Sequence, residues 1–272
     1  MAMEWLFCCL LLFIRDPSDR EMKRYLSDNP AIKWSCGLTS PEPTPNYSLL
    51  TRVRMRTGPN RLPPQFATTR ALITSAGPRS DVFTFVDAMH PIAKTRLRKG
   101  RDKARQQQID KLHNGVLLRV VVNKQTRFGG KGKMKYWCEY KEQVSVVRQS
   151  GLRNKMVTTP GNLPDAHGLR HVCHTQGTIY GVKGEWSVPA RSVATPPGGH
   201  LITAPRNNRK NTKRDHDRCY PHLRVPDERF FAQHLKRVRY GVIAENQFAA
   251  FLRATALNFQ RLPVPEATPL GA

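Results

Sequence analysis

The stretch from Leu112 to Arg148 limits the possible folds more than any other part of the chain. Val116, Leu117, Leu118, Val120, Val121 and Val122 make an apolar, β-branched run suited to a pleated, half-buried surface. A glycine-rich basic segment follows over residues 124–133. Tyr136, Trp137, Tyr140, Val144, Val146 and Val147 then resume strand chemistry. The expected element is a long β-hairpin carrying Lys124, Arg127, Lys131, Lys133 and Lys135 at its tip. Glycine allows positive φ and close backbone approach to a phosphate. The run Gly129-Gly130-Lys131-Gly132-Lys133 lacks the spacing of a nucleotide-binding P-loop and has no Ser or Thr after the lysine, which argues against nucleotide hydrolysis. Tyr136, Trp137 and Tyr140 at the base of the tip have two readings, core packing or stacking on exposed bases.

Charge is the strongest global signal. Against 20 Asp+Glu the chain has 45 Lys+Arg, a net charge of +25. Self-repulsion at this level disfavours compaction unless a polyanion neutralises it. Lysine and arginine contacts to phosphate release condensed counterions, so binding to nucleic acid is both favoured and salt-dependent. Hydrophobic residues make up 39% of the chain, and 21 prolines cluster in places, which implies a modest core with loop-rich extensions. Six cysteines without a CxxC pair fit a reducing intracellular compartment, cytoplasm or organelle, rather than a disulfide scaffold.

At the N-terminus, Trp5 to Ile14 is apolar but too short to span a bilayer. It lacks the basic flank and cleavage site of a signal peptide, so a short buried or membrane-touching helix is preferred over a signal anchor. Residues 18–26 have helix chemistry, with Asp19 and Glu21 early and Lys23 and Arg24 late. From residue 39 to 80 the prolines imply an extended basic arm or linker. Alternate residues of an extended chain share a side, so Arg52, Arg54 and Arg56 would meet one phosphate strand. Residues 94–113 combine Arg96, Arg98, Lys99, Arg101, Lys103 and Arg105 with a thin apolar stripe, the pattern of a helix lying on a phosphate backbone or in solvent. Short strands are expected between residues 151 and 199, and residues 205–218 form a basic loop. Helical periodicity over 226–259, with Gly241 as a possible break, gives the clearest helix and a docking surface for the sheet or a protein partner.

Two clusters, HGLRHVCH and HDRCYPH, raise a zinc reading in which His171, Cys173, Cys219 and His222 supply four ligands. His171-x-Cys173 is tighter than the usual spacing, and ordinary histidines in a basic chain are the preferred reading. Asp165 and His167 are the one suggestive acid–base pair, without the companion residues of a nuclease motif. No catalytic residue, metal or cofactor is therefore assigned, and no motif identifies a family.

The expected fold is α+β: a small antiparallel sheet or barrel-like core with a long basic hairpin, flanking helices and Pro-rich or disordered arms. The organisation reads as an apolar run plus short helix over 1–38, an arm over 39–80, a basic helix with β-rich core over 81–200, a basic loop over 201–225, a helical segment over 226–262 and a tail. The expected function is a non-enzymatic, sequence-nonspecific nucleic-acid binder, with RNA preferred to DNA, serving as a structural part of a ribonucleoprotein or viral particle; the composition resembles that of a ribosomal protein. The alternatives are a membrane-associated basic protein, with residues 5–14 touching the bilayer, or an orphan reading frame without a defined function.

Overall fold

The computed structural model of the protein describes residues 18–39, 41–75, 83–93, 125–131, 135–174, 177–181, 199–203, 230–233 and 238–261. Among them are five helices, α1 (Asp19–Asp28), α2 (Pro30–Ser35), α3 (Tyr47–Ser75), α4 (Asp165–Val172) and α5 (Ile243–Phe259). Six strands are β1 (Phe83–Met89), β2 (Arg127–Lys131), β3 (Lys135–Val147), β4 (Arg153–Pro160), β5 (Gly177–Gly181) and β6 (Gly199–Thr203). The class is α+β with flanking helices, as expected from the sequence. The sheet, however, is mixed and open rather than antiparallel or barrel-like. β3 pairs antiparallel with β1 and β4, whereas β1, β5 and β6 run parallel to one another.

β3 is long enough to serve two purposes. Its first residues close the hairpin with β2, from Arg127↔Glu139 to Lys131↔Lys135. Its remainder lies between β1 and β4. The described hairpin partner is residues 127–131; the apolar run at 116–122 lies outside the described residues.

Alternate residues of a strand point to opposite faces, and this divides the core in two. On one face Val144 and Val146 of β3 and Met156 of β4 pack with Phe248, Phe251 and Leu252 of α5. On the other, Val86 and Ile179 pack with Ala166, Leu169 and Val172 of α4. α5 is apolar nearly all round, the signature of a helix covered on both sides. Its second side meets α3, where Phe66 and Phe251 make an edge contact at 5.5 Å.

The arm expected over 39–80 is instead mostly helix. Gly58 leaves the helical path at φ 64°, ψ 169°, and Pro59 starts the second segment of α3. Proline in a first turn gives up an N–H that has no intrahelical partner there. The Gly-Pro pair therefore bends this helix without abolishing it. No helix among the described residues is long and apolar enough to cross a membrane, and residues 5–14 lie outside them.

Candidate nucleic-acid interface

α1 begins with a capping box: the Ser18 hydroxyl accepts from the Glu21 N–H at 3.2 Å, and the Glu21 carboxylate accepts from the Ser18 N–H at 2.7 Å. Those hydrogen bonds hold the Glu21 carboxyl below its ordinary pKa. The fixed start sets the faces of the helix. Met22 and Leu26 are buried, while Arg20 and Arg24, one turn apart, are exposed.

The same geometry sorts the arginine row of α3. A helix turns about 100° per residue, so Arg52 and Arg56 share a side and Arg54 does not. Arg52 and Arg56 are exposed. Arg54 is buried; its guanidinium donates to Asp19 of α1 at 3.1 and 2.5 Å and to the Thr51 hydroxyl at 3.1 Å, and it lies 5.2 Å from the centre of the Tyr240 ring. Three arginines on one phosphate strand required an extended chain. The helix offers two, and turns the third into a tie between α1, α3 and the approach to α5. Arg20 lies over the Tyr47 ring at 5.1 Å, and Arg52 donates to the Ser48 hydroxyl at 3.2 Å, so both cations sit by the first turn of α3. Trp34 on α2 is 77% exposed in the same helical unit.

Lys131 and Lys135 form the last described pair of the hairpin. Arg127 lies four pairs away, opposite Glu139, and donates to its own neighbour's carbonyl, Thr126, at 2.8 Å. Tyr136 and Trp137 lie on the hairpin part of β3. Tyr140 is 0% exposed, and its hydroxyl donates to the Gly241 carbonyl at 3.1 Å, so it is a core residue. Lys124, Lys133 and the basic run Arg96, Arg98, Lys99, Arg101, Lys103 and Arg105 lie outside the described residues.

Of the histidine-rich segment, only the first cluster lies among the described residues. His171 is exposed at the end of α4, and burial together with the adjacent Arg170 lowers its pKa. Cys173 is buried in the apolar cluster under α4. Cys219 and His222 lie outside the described residues, among which no group of three or more His, Cys, Asp or Glu could hold a metal ion. Asp165 is engaged at the start of α4, accepting from Lys141 at 2.8 Å.

Two polar sites gave no sequence signal. His90 Nδ1 is 3.0 Å from an oxygen of Glu139, which is 1% exposed, although 49 residues separate the two. Arg153 is 0% exposed on β4. The register shifts there, between Ser145↔Lys155 and Val146↔Arg153, and leaves Asn154 unpaired. Such a bulge re-aims side chains. Here the Arg153 backbone N–H donates to the Asn258 side-chain oxygen of α5 at 2.8 Å, and the Asn154 side chain lies 2.8 Å from the His174 ring.

In comparison with known proteins, residues 5–56 match the family described as Transposase domain (DUF772). No curated relative and no solved structure matches the chain. The matched residues take in α1, α2 and the first turns of α3, where Arg20, Arg24, Arg52 and Arg56 lie. This match overturns the expectation of a non-enzymatic, structural, ribosomal-like RNA-binding protein, because a transposase domain points to a protein of DNA transposition and to enzymatic work on DNA. The partner expectation keeps its coarser half: a transposase-related domain supports a nucleic-acid partner, and nothing in the match supports RNA. The sequence reading went wrong because a cationic surface reports phosphate and cannot distinguish which nucleic acid carries it.

Proposed function

We propose that this chain is a transposase-related protein that docks duplex DNA through its N-terminal helices and serves phosphoryl transfer on that DNA. The observation that carries the reading is the match over residues 5–56, which falls on the helices bearing four exposed arginines. The net charge of +25 supports it, since phosphate neutralisation offsets the self-repulsion of the chain. Arg20 and Arg24 on α1, with Arg52 and Arg56 on α3, are the proposed backbone contacts. Lys131 and Lys135, flanking the hairpin turn, are a second contact. Contacts of this kind position the protein on the duplex and carry no base information, so docking is expected to be largely independent of sequence.

The test is the salt dependence of binding to a short duplex and to a single-stranded RNA of equal length. Each phosphate contact removed from duplex DNA shallows the log–log slope by about 0.9. Arg52→Ala with Arg56→Ala should therefore shallow the DNA slope by about two contacts' worth, and tighter binding to duplex than to RNA is expected. An unchanged slope overturns the assigned surface. A plasmid-nicking assay with magnesium or manganese tests the enzymatic half, and an intact supercoiled plasmid under all conditions counts against it.

A further inference from the structure

Among the described residues, Arg153 is a buried cation with no carboxylate partner. Its guanidinium donates to the Gly151 carbonyl at 3.4 Å, the Phe230 carbonyl at 3.0 Å and the Gln233 side-chain oxygen at 2.7 Å, all neutral acceptors. Its Nε has no partner. A buried guanidinium is ordinarily balanced by an anion, because desolvating the charge costs more than neutral hydrogen bonds return. Two more arginines close on the same turn. Arg253 donates twice to the Gln233 carbonyl, at 2.9 and 2.5 Å, and Arg261 lies 4.9 Å from the centre of the Phe230 ring.

We infer that Arg153, Arg253 and Arg261 form a binding site for a phosphate group, which Gln233, at the end of the helical residues 230–232, fills in this structure with its own neutral oxygens. Gln233 supplies two of those oxygens, its carbonyl and its side-chain amide oxygen, to two different guanidinium groups. That is how two oxygens of one phosphate would be shared between two arginines. The exchange replaces neutral acceptors with charged ones where charge is lacking. Burial first, and then Arg261 and Arg253, depress the Arg153 pKa to about 9, as expected for a cation pressed against like charges. Gln233 is exposed, so an anion would enter from solvent by taking the place of its side chain, while Phe230 and Phe231 stay packed on the core. Arg253 and Arg261 have other contacts as well, so it is Arg153 that the anion would serve.

The site does not depend on the DNA reading, and inorganic phosphate is the probe that separates the two. Thermal unfolding of the full chain is measured in sodium phosphate and in sodium chloride at matched ionic strength. The wild type should melt higher in phosphate. Gln233→Glu puts a carboxylate on Arg153; it should raise the midpoint in chloride and remove most of the extra rise in phosphate. Arg253→Gln should weaken phosphate binding about tenfold, the loss of one charge-assisted hydrogen bond, without raising the midpoint in chloride. An equal phosphate rise in all three proteins would mean adventitious binding over a basic surface and overturns the site, as does a wild type indifferent to phosphate or a Gln233→Glu variant with no gain in chloride. Where the rise is present, competition by a short duplex assigns the phosphate to a DNA backbone, and its absence assigns the site to free phosphate.

Discussion

Arg54 distinguishes a phosphate contact from an internal tie, and Arg54→Ala separates the two. The side chain makes two hydrogen bonds to the Asp19 carboxylate and one to Thr51, and it lies over Tyr240. Removing one partner of a fully buried ion pair costs about 3–5 kcal/mol, because the other charge is left uncompensated. Asp19 keeps 22% of its side chain in solvent and can partly rehydrate. The expected loss is therefore smaller, about 2–3 kcal/mol, and includes about 0.5–1 kcal/mol for the lost contact with Tyr240. Urea unfolding followed by circular dichroism reads this directly as a lower midpoint. Arg52→Ala is the control, since an exposed side chain away from such features should change stability by no more than about 0.5 kcal/mol. A cycle with Asp19→Asn isolates the pair, and a coupling above about 0.5 kcal/mol is expected for groups in contact. The reasoning fails if Arg54→Ala leaves the urea midpoint in place and shallows the DNA salt slope as Arg52→Ala does.

Other changes probe the packing and the pH response. A Cβ at Gly168 would stand 1.7 Å from both the nitrogen and the oxygen of the buried Gln143 amide, so Gly168→Ala should cost about 1–3 kcal/mol; a neutral result would show that α4 does not lie so close to β3. Tyr140→Phe should lower stability by about 1 kcal/mol through the lost hydrogen bond to Gly241 and leave DNA affinity unchanged, whereas a drop in affinity at constant stability would return Tyr140 to the binding surface. The Glu21 pKa is lowered in the fold by the Ser18 backbone and hydroxyl, so its stabilising effect is present above the ordinary value of 4.5 and is lost as pH falls through the lowered one. Glu21→Gln should therefore flatten the acid side of the stability profile, and an unaltered profile would show that the capping box is not formed in solution.

The sequence was most readable where a local pattern coincided with the tertiary environment. Phe248, Phe251 or Leu252 and Phe259 recur at helical spacing, and α5 lies over them. A hairpin was also legible, but the glycine-rich basic segment expected as its turn supplies Gly129 and Gly130 to strand β2. The pairing of residues 127–131 was hidden because β-branched content favours the run at 116–122, which lies outside the described residues. Prolines hid α3: Gly58-Pro59 reads as a linker but only bends the helix. Burial of a charge has no local signature. Arg54 depends on Asp19, 35 residues away, and Arg153 on a bulge and a turn 77 residues further along the chain. The parallel half of the sheet was equally hidden, since β1, β5 and β6 meet only after long excursions of the chain.

The boundary of the transposase-domain match acquires a physical meaning from these contacts. It ends at residue 56, two residues before the backbone of α3 leaves the helix at Gly58. The first segment of α3 therefore belongs with α1 and α2, and the second, through Phe66, with α5. Yet the described residues of the matched helices pack into a shared core: Met22, Leu26 and Leu50 lie in one apolar cluster with Val144 of β3 and Phe248 of α5. Arg54, itself inside the match, stacks on Tyr240 just ahead of α5. An arginine surface on α1 and α3 is thus built on the same packing that supports the sheet. α5 is shared by both, covered by α3 on one side and packed on β4 on the other, and it carries Arg253 towards the buried Arg153.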